Sequence, residues 1–360
     1  MTKPSAFRPG GGTSILRLMT RPIKAYSLDE LPSLMEELGQ PRFRAKQISQ
    51  WLYGHHASSY DEMTNLPASL RATLAEQCPL ANPRTVQRLV SRDGTRKYLL
   101  EYPDGVRVET VAIPSHDDHR LTVCFSTQSG CPMACVFCAT GAEGFTRDLL
   151  PGEMLDQILT AQEDMGMRVS NIVAMGQGEP FLNYDNVLAA LRIMNSPDCL
   201  AIGARHITVS SCGILPGIES FSQEPEQFTL AISLHAARQE VRDQLMPKVA
   251  GMPLDELKQT LECYLDKTKR RVTFEYIMID GRNDSDADLD ALISFCEGLL
   301  CHVNLIPLNK LEDSPFKPSP RRTIDRWKST LNKCGIETTI RDSRGADIQG
   351  ACGQLKNSYK

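Results

Sequence analysis

The feature that most constrains this chain is an alternation that begins at Leu121. From there on, short apolar β-branched stretches take turns with segments of helical periodicity. Six such stretches lie near 121–127, 169–175, 206–211, 228–234, 271–279 and 302–307. Between them, Gly152 to Gly166, Leu254 to Lys267 and Ser285 to Leu299 carry helical spacing. The alternation predicts an α/β fold whose parallel strands are joined by crossover helices. Six βα units suit a barrel or an open wound sheet, and both gather their chemistry at the carboxyl ends of the strands. A motif that carries function should lie at or just beyond those ends.

Upstream the pattern differs. Residues 1–24, with Pro9 followed by Gly10, Gly11 and Gly12, cannot bury much and read as a flexible leader. Ser27 stands before an acidic turn and an apolar stripe of Leu28, Leu31, Leu34, Met35 and Leu38 that stops at Gly39, the mark of a capped amphipathic helix. Helices over Phe43 to Tyr53 and Pro67 to Gln77 complete a small helical module, 25–80. Short alternating runs broken at Asp93-Gly94 and Asp104-Gly105 predict a β-meander linker over 81–118. The barrel core is placed at 119–345 and a C-terminal segment at 346–360.

Net charge of -4 and a pI near 6.0 argue against nonspecific coating of nucleic acid, although local basic stretches exist. No stretch reaches the roughly 20 apolar residues of a membrane span, which points to the cytoplasm. In that reducing compartment, 12 cysteines suggest metal or catalysis rather than a disulfide scaffold.

Cys131, Cys135 and Cys138 form C-x-x-x-C-x-x-C in the loop after the first barrel strand. Three thiolates so close can wrap one face of a metal centre. A closed structural zinc site asks for a fourth protein ligand, whereas three cysteines on a four-iron cluster leave one iron open. Zinc completed by a distant histidine is the alternative that the spacing leaves.

This motif resembles the radical S-adenosylmethionine superfamily. The strand and loop Cys124-Phe125-Ser126-Thr127-Gln128-Ser129-Gly130-Cys131 resemble its RlmN/Cfr group of RNA adenine methyltransferases. Separate motifs from about Tyr26 to Leu355 carry the same resemblance. They include Arg44-Ala45-Lys46-Gln47, Val108-Glu109-Thr110-Val111, Gly178-Glu179-Pro180, Ser233-Leu234-His235-Ala236, Asn304-Leu305-Ile306-Pro307 and Ala351-Cys352-Gly353-Gln354-Leu355. The resemblance implies a partial (β/α)6 barrel and a [4Fe-4S] cluster on Cys131, Cys135 and Cys138. It also implies two S-adenosylmethionine molecules per turnover.

By the same resemblance, Gly178 and Glu179 meet the methionine amino group of the cofactor. Ser210, Ser233, Leu234, His235 and Asn309 supply its further contacts. Cys352 takes a methyl group, the methylated side chain becomes joined to the adenine ring, and Cys124 resolves that adduct through a transient disulfide. Glu109 matches the proton acceptor. If Val123 and Phe125 face the helices, strand alternation turns Cys124 toward the interior. The other cysteines, Cys212 among them, read as structural.

The implied substrates are an adenine of 23S rRNA, methylated at carbon 2, and an adenine beside the tRNA anticodon. Methylation at carbon 8, or a radical reaction on a protein, are the competing outcomes. An electron donor, a disulfide reductant and a monomeric enzyme belong to the same expectation. The helical module, Lys269-Arg270-Arg271 and Arg321-Arg322 are candidate RNA-facing surfaces. One departure stands out: Gln177 occupies a position where this group usually has methionine, and could hydrogen-bond the cofactor.

Overall fold

The computed structural model describes residues 21–115, 119–311 and 314–357. Of the leader expected over 1–24, residues 1–20 lie outside the described residues. Ile23 and Lys24 are buried. Lys24 Nζ reaches inward to Asp156 Oδ1 (2.5 Å) and Asn82 Oδ1 (2.7 Å). A buried ammonium requires such partners, so packing already includes these two residues, which corrects the leader's boundary.

The helical module holds α1 (Leu31–Glu37), α2 (Arg44–Ser49) and α3 (Ala68–Gln77). Reciprocal bonds close the turn that leads into α1: the Ser27 amide donates to the Glu30 carboxylate (2.8 Å), and the Glu30 amide donates to Ser27 Oγ (3.3 Å). After α2 the chain widens into a turn over Gln50–Gly54, closed by the His55 amide on the Gln50 carbonyl (2.9 Å). Leu31, Met35, Ile48, Leu52 and Leu74 bury the inner faces of the module.

Three strands follow, β1 (Arg84–Val90), β2 (Arg96–Glu101) and β3 (Arg107–Pro114), with turns at the two Asp-Gly pairs. β3 runs antiparallel to β4 (Leu121–Cys124), placing Val111 opposite Cys124. The meander expected as a linker is thus an antiparallel wing of the barrel's own sheet.

A short hairpin, β5 (Gln128–Gly130) and β6 (Phe145–Asp148), brackets the cysteine loop and α4 (Ala139–Glu143). The alternation then runs α5 (Pro151–Met165), β7 (Asn171–Ala174), α6 (Tyr184–Asn195), β8 (Ile207–Ser211), α7 (Leu215–Phe221) and β9 (Thr229–Ser233). It continues through α8 (Gln239–Leu245), α9 (Leu254–Thr268), β10 (Val272–Met278), α10 (Asp286–Cys296), β11 (Cys301–Pro307), α11 (Arg321–Lys333) and β12 (Glu337–Ile340). The main sheet has the order β1-β2-β3-β4-β7-β8-β9-β10-β11-β12 and is parallel from β4 onward. All six expected parallel strands are present, and β12 is a seventh that their spacing did not reveal. β1 and β12 form the two edges, so the barrel is partial.

Val123 and Phe125 join the large core between sheet and helices, while Cys124 packs in a small inner cluster with Val111 and Leu355. The strand pleat therefore turns Cys124 inward, as its period of two requires.

Candidate active site

Two adjoining cavities open at the carboxyl ends of the parallel strands. The first, about 140 Å³, is lined by Cys131, Cys135 and Cys138 together with Gly178, Glu179, Ser210, Ser233 and His235. The second, about 190 Å³, is lined by Cys124, Cys352, Asn309 and the stretch Arg341 to Arg344. Met175, Ile306, Arg341 and Cys352 line both.

Backbone shape sets the cysteine loop. The Cys131 amide donates to the Gly144 carbonyl (2.8 Å), and the Val136 amide donates to the Leu245 carbonyl (3.0 Å). Met133 and Phe137 pack on Leu245, Met246 and Ile277, an apolar wall that keeps water from the thiols. Burial pushes the Cys131 thiol up to about 12 and also raises Cys138. Buried thiols become thiolates once a metal holds them.

The charges around the loop suit an iron-sulfur group and an amino acid. Arg242 is buried beside Cys135 and Cys212, donates from Nη2 to the Cys212 carbonyl (2.6 Å), and leaves Nε without a partner among the described residues. A buried guanidinium facing cysteines supplies the positive charge that a thiolate-bound cluster needs. Glu179, equally buried, accepts from the Phe181 amide (3.0 Å) and the Cys212 amide (2.7 Å), and no salt bridge to it is found among the described residues. Burial pushes its carboxyl up. An ammonium group would relieve that cost, which the methionine end of S-adenosylmethionine provides. Among the described residues, no three His, Cys, Asp or Glu side chains converge on one ion. A four-iron cluster asks for less convergence, because its thiolates bind separate irons.

Ser210 Oγ and Ser233 Oγ stand 3.1 Å apart on neighbouring strands. His235 holds a left-handed backbone (φ 57°), a strained choice for a non-glycine residue. Its Nδ1 accepts from the Ile277 amide (3.1 Å), and burial beside Arg242 drives its pKa down to about 3, so the ring is neutral. Leu234 is different: its side chain lies in the helix-side core, leaving only its main chain for a cofactor. Asn309 sits in the second cavity, where Nδ2 donates to the Cys352 carbonyl (3.0 Å).

Cys124 and Cys352 share the second cavity as free thiols. Burial, with Cys352 nearby, pushes Cys124 up to about 12, opposed by Arg341. Glu109 lines neither cavity. It is fully buried on β3, 2.8 Å from Lys97 Nζ, and accepts the Lys356 amide at 2.6 Å. Burial raises its carboxyl, against the charge of Lys97.

Several placements differ from what the sequence led us to expect. Gln177 turns away from the cavities: it is buried, and its Oε1 accepts the Glu109 amide at 3.4 Å. Cys212 is no plain core thiol, since it lines the cluster cavity and anchors Glu179. Its place directly after Ser210-Ser211, at a strand's carboxyl end, was the signal. Arg341 was missed outright; it follows β12, donates to Met175 Sδ (3.5 Å) and lies 3.7 Å from Glu275. The stretch Lys269-Arg270-Arg271 spends its charge locally: Arg270 binds the Phe228 and Glu226 carbonyls, and Arg271 pairs with Glu337.

Comparison with known proteins gives a consistent result. The model of the radical SAM superfamily matches residues 125–293, and that of the ribosomal RNA large subunit methyltransferase N-terminal domain matches residues 23–80. A relative from Clostridium novyi, named "Probable dual-specificity RNA methyltransferase RlmN", is 44% identical over 93% of this chain and 97% of its own. One of the same name from Alkaliphilus oremlandii is 45% identical over 93% and 97%. The crystal structure of a radical SAM methyltransferase from Sphaerobacter thermophilus superposes with a TM-score of 0.88 at 44% identity, covering 94% of this chain and 100% of that one. The chain belongs to the RlmN family of the radical S-adenosylmethionine superfamily.

Proposed function

We propose that this protein methylates carbon 2 of an adenine in 23S rRNA and of an adenine beside the tRNA anticodon, consuming two S-adenosylmethionine molecules per turnover. The observation that carries the reading is the pairing of Cys124 and Cys352 in a cavity that adjoins the one lined by the three loop cysteines. The names of the relatives, which specify dual-specificity RNA methylation, support the choice of substrate.

Bound in the first cavity, the cluster and S-adenosylmethionine supply a methyl group and, separately, hydrogen abstraction. Glu179 would receive the cofactor's ammonium, and the serines and His235 would hold the remainder. Cys352, as a thiolate, would attack the methyl carbon and become S-methylated, with S-adenosylhomocysteine leaving. The base, unstacked to reach the second cavity, would bond to that carbon in place of an abstracted hydrogen atom, the adduct giving up its one surplus electron to the cluster. Glu109, which lines neither cavity while the Lys356 amide holds it, would accept the proton lost from the ring once that amide departs. Cys124, as a thiolate, would then attack the Cys352 sulfur, leaving a disulfide and releasing the base with the electron pair on its methylene carbon, which takes up a proton to become the methyl group. An external dithiol returns that disulfide to two thiols. The reading also calls for an electron donor and takes the enzyme as a cytoplasmic monomer, with the helical module meeting RNA.

Mass spectrometry of rRNA and tRNA digests tests it, comparing a strain lacking the gene with the same strain complemented. The expected result is 2-methyladenosine restored by wild type and by no Cys352→Ala variant. Restoration of 8-methyladenosine, or no change in either RNA, sinks the proposal.

A further inference from the structure

The segment that carries Cys352 is held in an unusual way. Residues 345–357 form no strand, and their one helical turn is Ala346–Ile348. They lie across the sheet as a strap fastened mainly through its backbone. Two of its fastenings flank the cysteine and lead to one buried ion pair. Three residues before Cys352, the Gln349 carbonyl accepts from Lys97 Nζ at 3.2 Å. Four residues after it, the Lys356 amide donates to Glu109 Oε2 at 2.6 Å. Lys97 and Glu109 stand on β2 and β3 at diagonal positions of one face, 2.8 Å apart, with side chains 7% and 1% exposed.

We propose that Lys97 is a positioning residue for Cys352: together with Glu109 it clasps the strap on both sides of the cysteine and sets how readily Cys352 leaves this pose. The weight of the clasp for methyl transfer rests on the reading of Cys352 given above.

Stability alone does not account for this pair. A buried ion pair loses about as much on desolvation as it gains, and apolar residues of similar volume would serve a sheet at least as well. Here each partner also makes one bond to the main chain of the strap, where an ionised partner makes the bond strong. The strap's backbone is also strained beside the cysteine. Gln349 (φ 54°) and Gly353 (φ 82°) both adopt left-handed backbone on either side of Cys352. A non-glycine residue in that region persists only where its surroundings hold it.

Cys352 lines both cavities, and the proposed reaction needs its sulfur at each of them in turn. Asn309 Nδ2, the Ala139 amide and Thr140 Oγ also hold the carbonyls of Cys352, Gly353 and Leu355, so the ion pair adds to these fastenings in setting how readily the strap leaves its pose. Release has a second consequence. Glu109 has one carboxylate oxygen on Lys97 and the other on Lys356, so it gains room for a proton when the Lys356 amide departs. Strap movement and proton acceptance are thereby linked through the same carboxylate.

The test uses the full-length protein, cluster reconstituted, as wild type, Lys97→Met, Lys97→Arg and Lys97→Gln. Hydrogen exchange is followed at the amides of 349–357 and, for comparison, at those of β10 and β11. The rate of Cys352 alkylation by iodoacetamide is read by mass spectrometry on the fraction of each protein whose Cys352 carries no methyl group, since a thioether is not alkylated. For Lys97→Met we expect the Lys356 amide to exchange, and Cys352 to alkylate, about tenfold faster or more, the factor that ~1.4 kcal/mol represents. The β10 and β11 amides should be unchanged, and Lys97→Arg should restore most of the protection. If Lys97→Met does not fold, Lys97→Gln decides, since it keeps a donor for Gln349 without the charge: faster strap exchange supports the clasp, and wild-type rates overturn it. Equal acceleration everywhere would make Lys97 an ordinary structural residue and also overturn it. The methyl-carrier reading is scored separately, by the mass of Cys352 in wild type. An unmethylated Cys352 sinks that reading and leaves the clasp to stand or fall on its own measurement.

Discussion

Gly178→Ala probes how the backbone places Glu179. Gly178 has φ +103°, and a Cβ built there would lie 2.7 Å from Gln128 Cβ and 2.8 Å from the Gln128 amide nitrogen. An alanine therefore carries a backbone cost of about 1–2 kcal/mol for the left-handed region. It must also move β5 from 2.8 Å toward the 3.4 Å of ordinary contact. Gln128 Oε1 accepts the Glu179 amide at 2.8 Å, so that movement strips a buried donor, worth about 1–3 kcal/mol. The sum is roughly 2–5 kcal/mol of stability. Displacing the carboxylate removes a charged contact of about 1.5–3 kcal/mol, which is roughly ten- to hundredfold in S-adenosylmethionine affinity. A matched control exists in Gly105→Ala, where φ is +81° but nothing lies within 4 Å of the added carbon. It bears the backbone cost alone. Urea denaturation and equilibrium binding of S-adenosylmethionine to the reconstituted protein read the two effects. If Gly178→Ala and Gly105→Ala lose equal stability and bind the cofactor equally, the close approach to Gln128 does not position Glu179.

Replacing any of Cys131, Cys135 or Cys138 by alanine should abolish cluster binding, read as iron per chain by colorimetric assay; full iron in one variant would exclude that thiol as a ligand. His235, with its pKa near 3 against an ordinary 6.5, stays neutral in the fold while the unfolded chain protonates. Its contribution to stability is thus fully present above about pH 6.5 and fades as pH falls toward 3. In NMR spectra of the iron-free protein its ring protons should show no titration between pH 5 and 8, and a midpoint near 6.5 would refute the buried neutral ring.

The order of strands and helices was legible because each parallel strand carries a β-branched run and each crossover a helical period. β12 escaped because Glu-Thr-Thr-Ile at a sheet edge has alternating exposure and little apolar content. Arg341 escaped with it, since its meaning comes from the strand that delivers it. The three loop cysteines could be read from spacing, which is local. The Lys97 and Glu109 pairing could not, because it depends on the register of β2 against β3 and on a strap some 250 residues further along, as the separations of 252 and 247 residues show. Gln177 illustrates a related limit: sequence places it beside Gly178, but the left-handed turn at Gly178 sends neighbouring side chains in different directions. Cys212 was set aside because a lone thiol carries no pattern of its own.

The central claim is that Cys124 and Cys352 act as a pair on a base held in the second cavity. Cys124→Ala tests it most directly. With Cys352 intact, the base should become joined to its methyl carbon, and no second thiol would then free it. The variant purified from cells should carry an RNA fragment that survives denaturation, visible as nucleic-acid absorbance and a shifted band on a denaturing gel. Adding Cys352→Ala to the same chain should remove that fragment, because the tether runs through that sulfur. An RNA-free Cys124→Ala protein with wild-type methylation would contradict the account and leave Cys124 as a buried residue of the inner cluster.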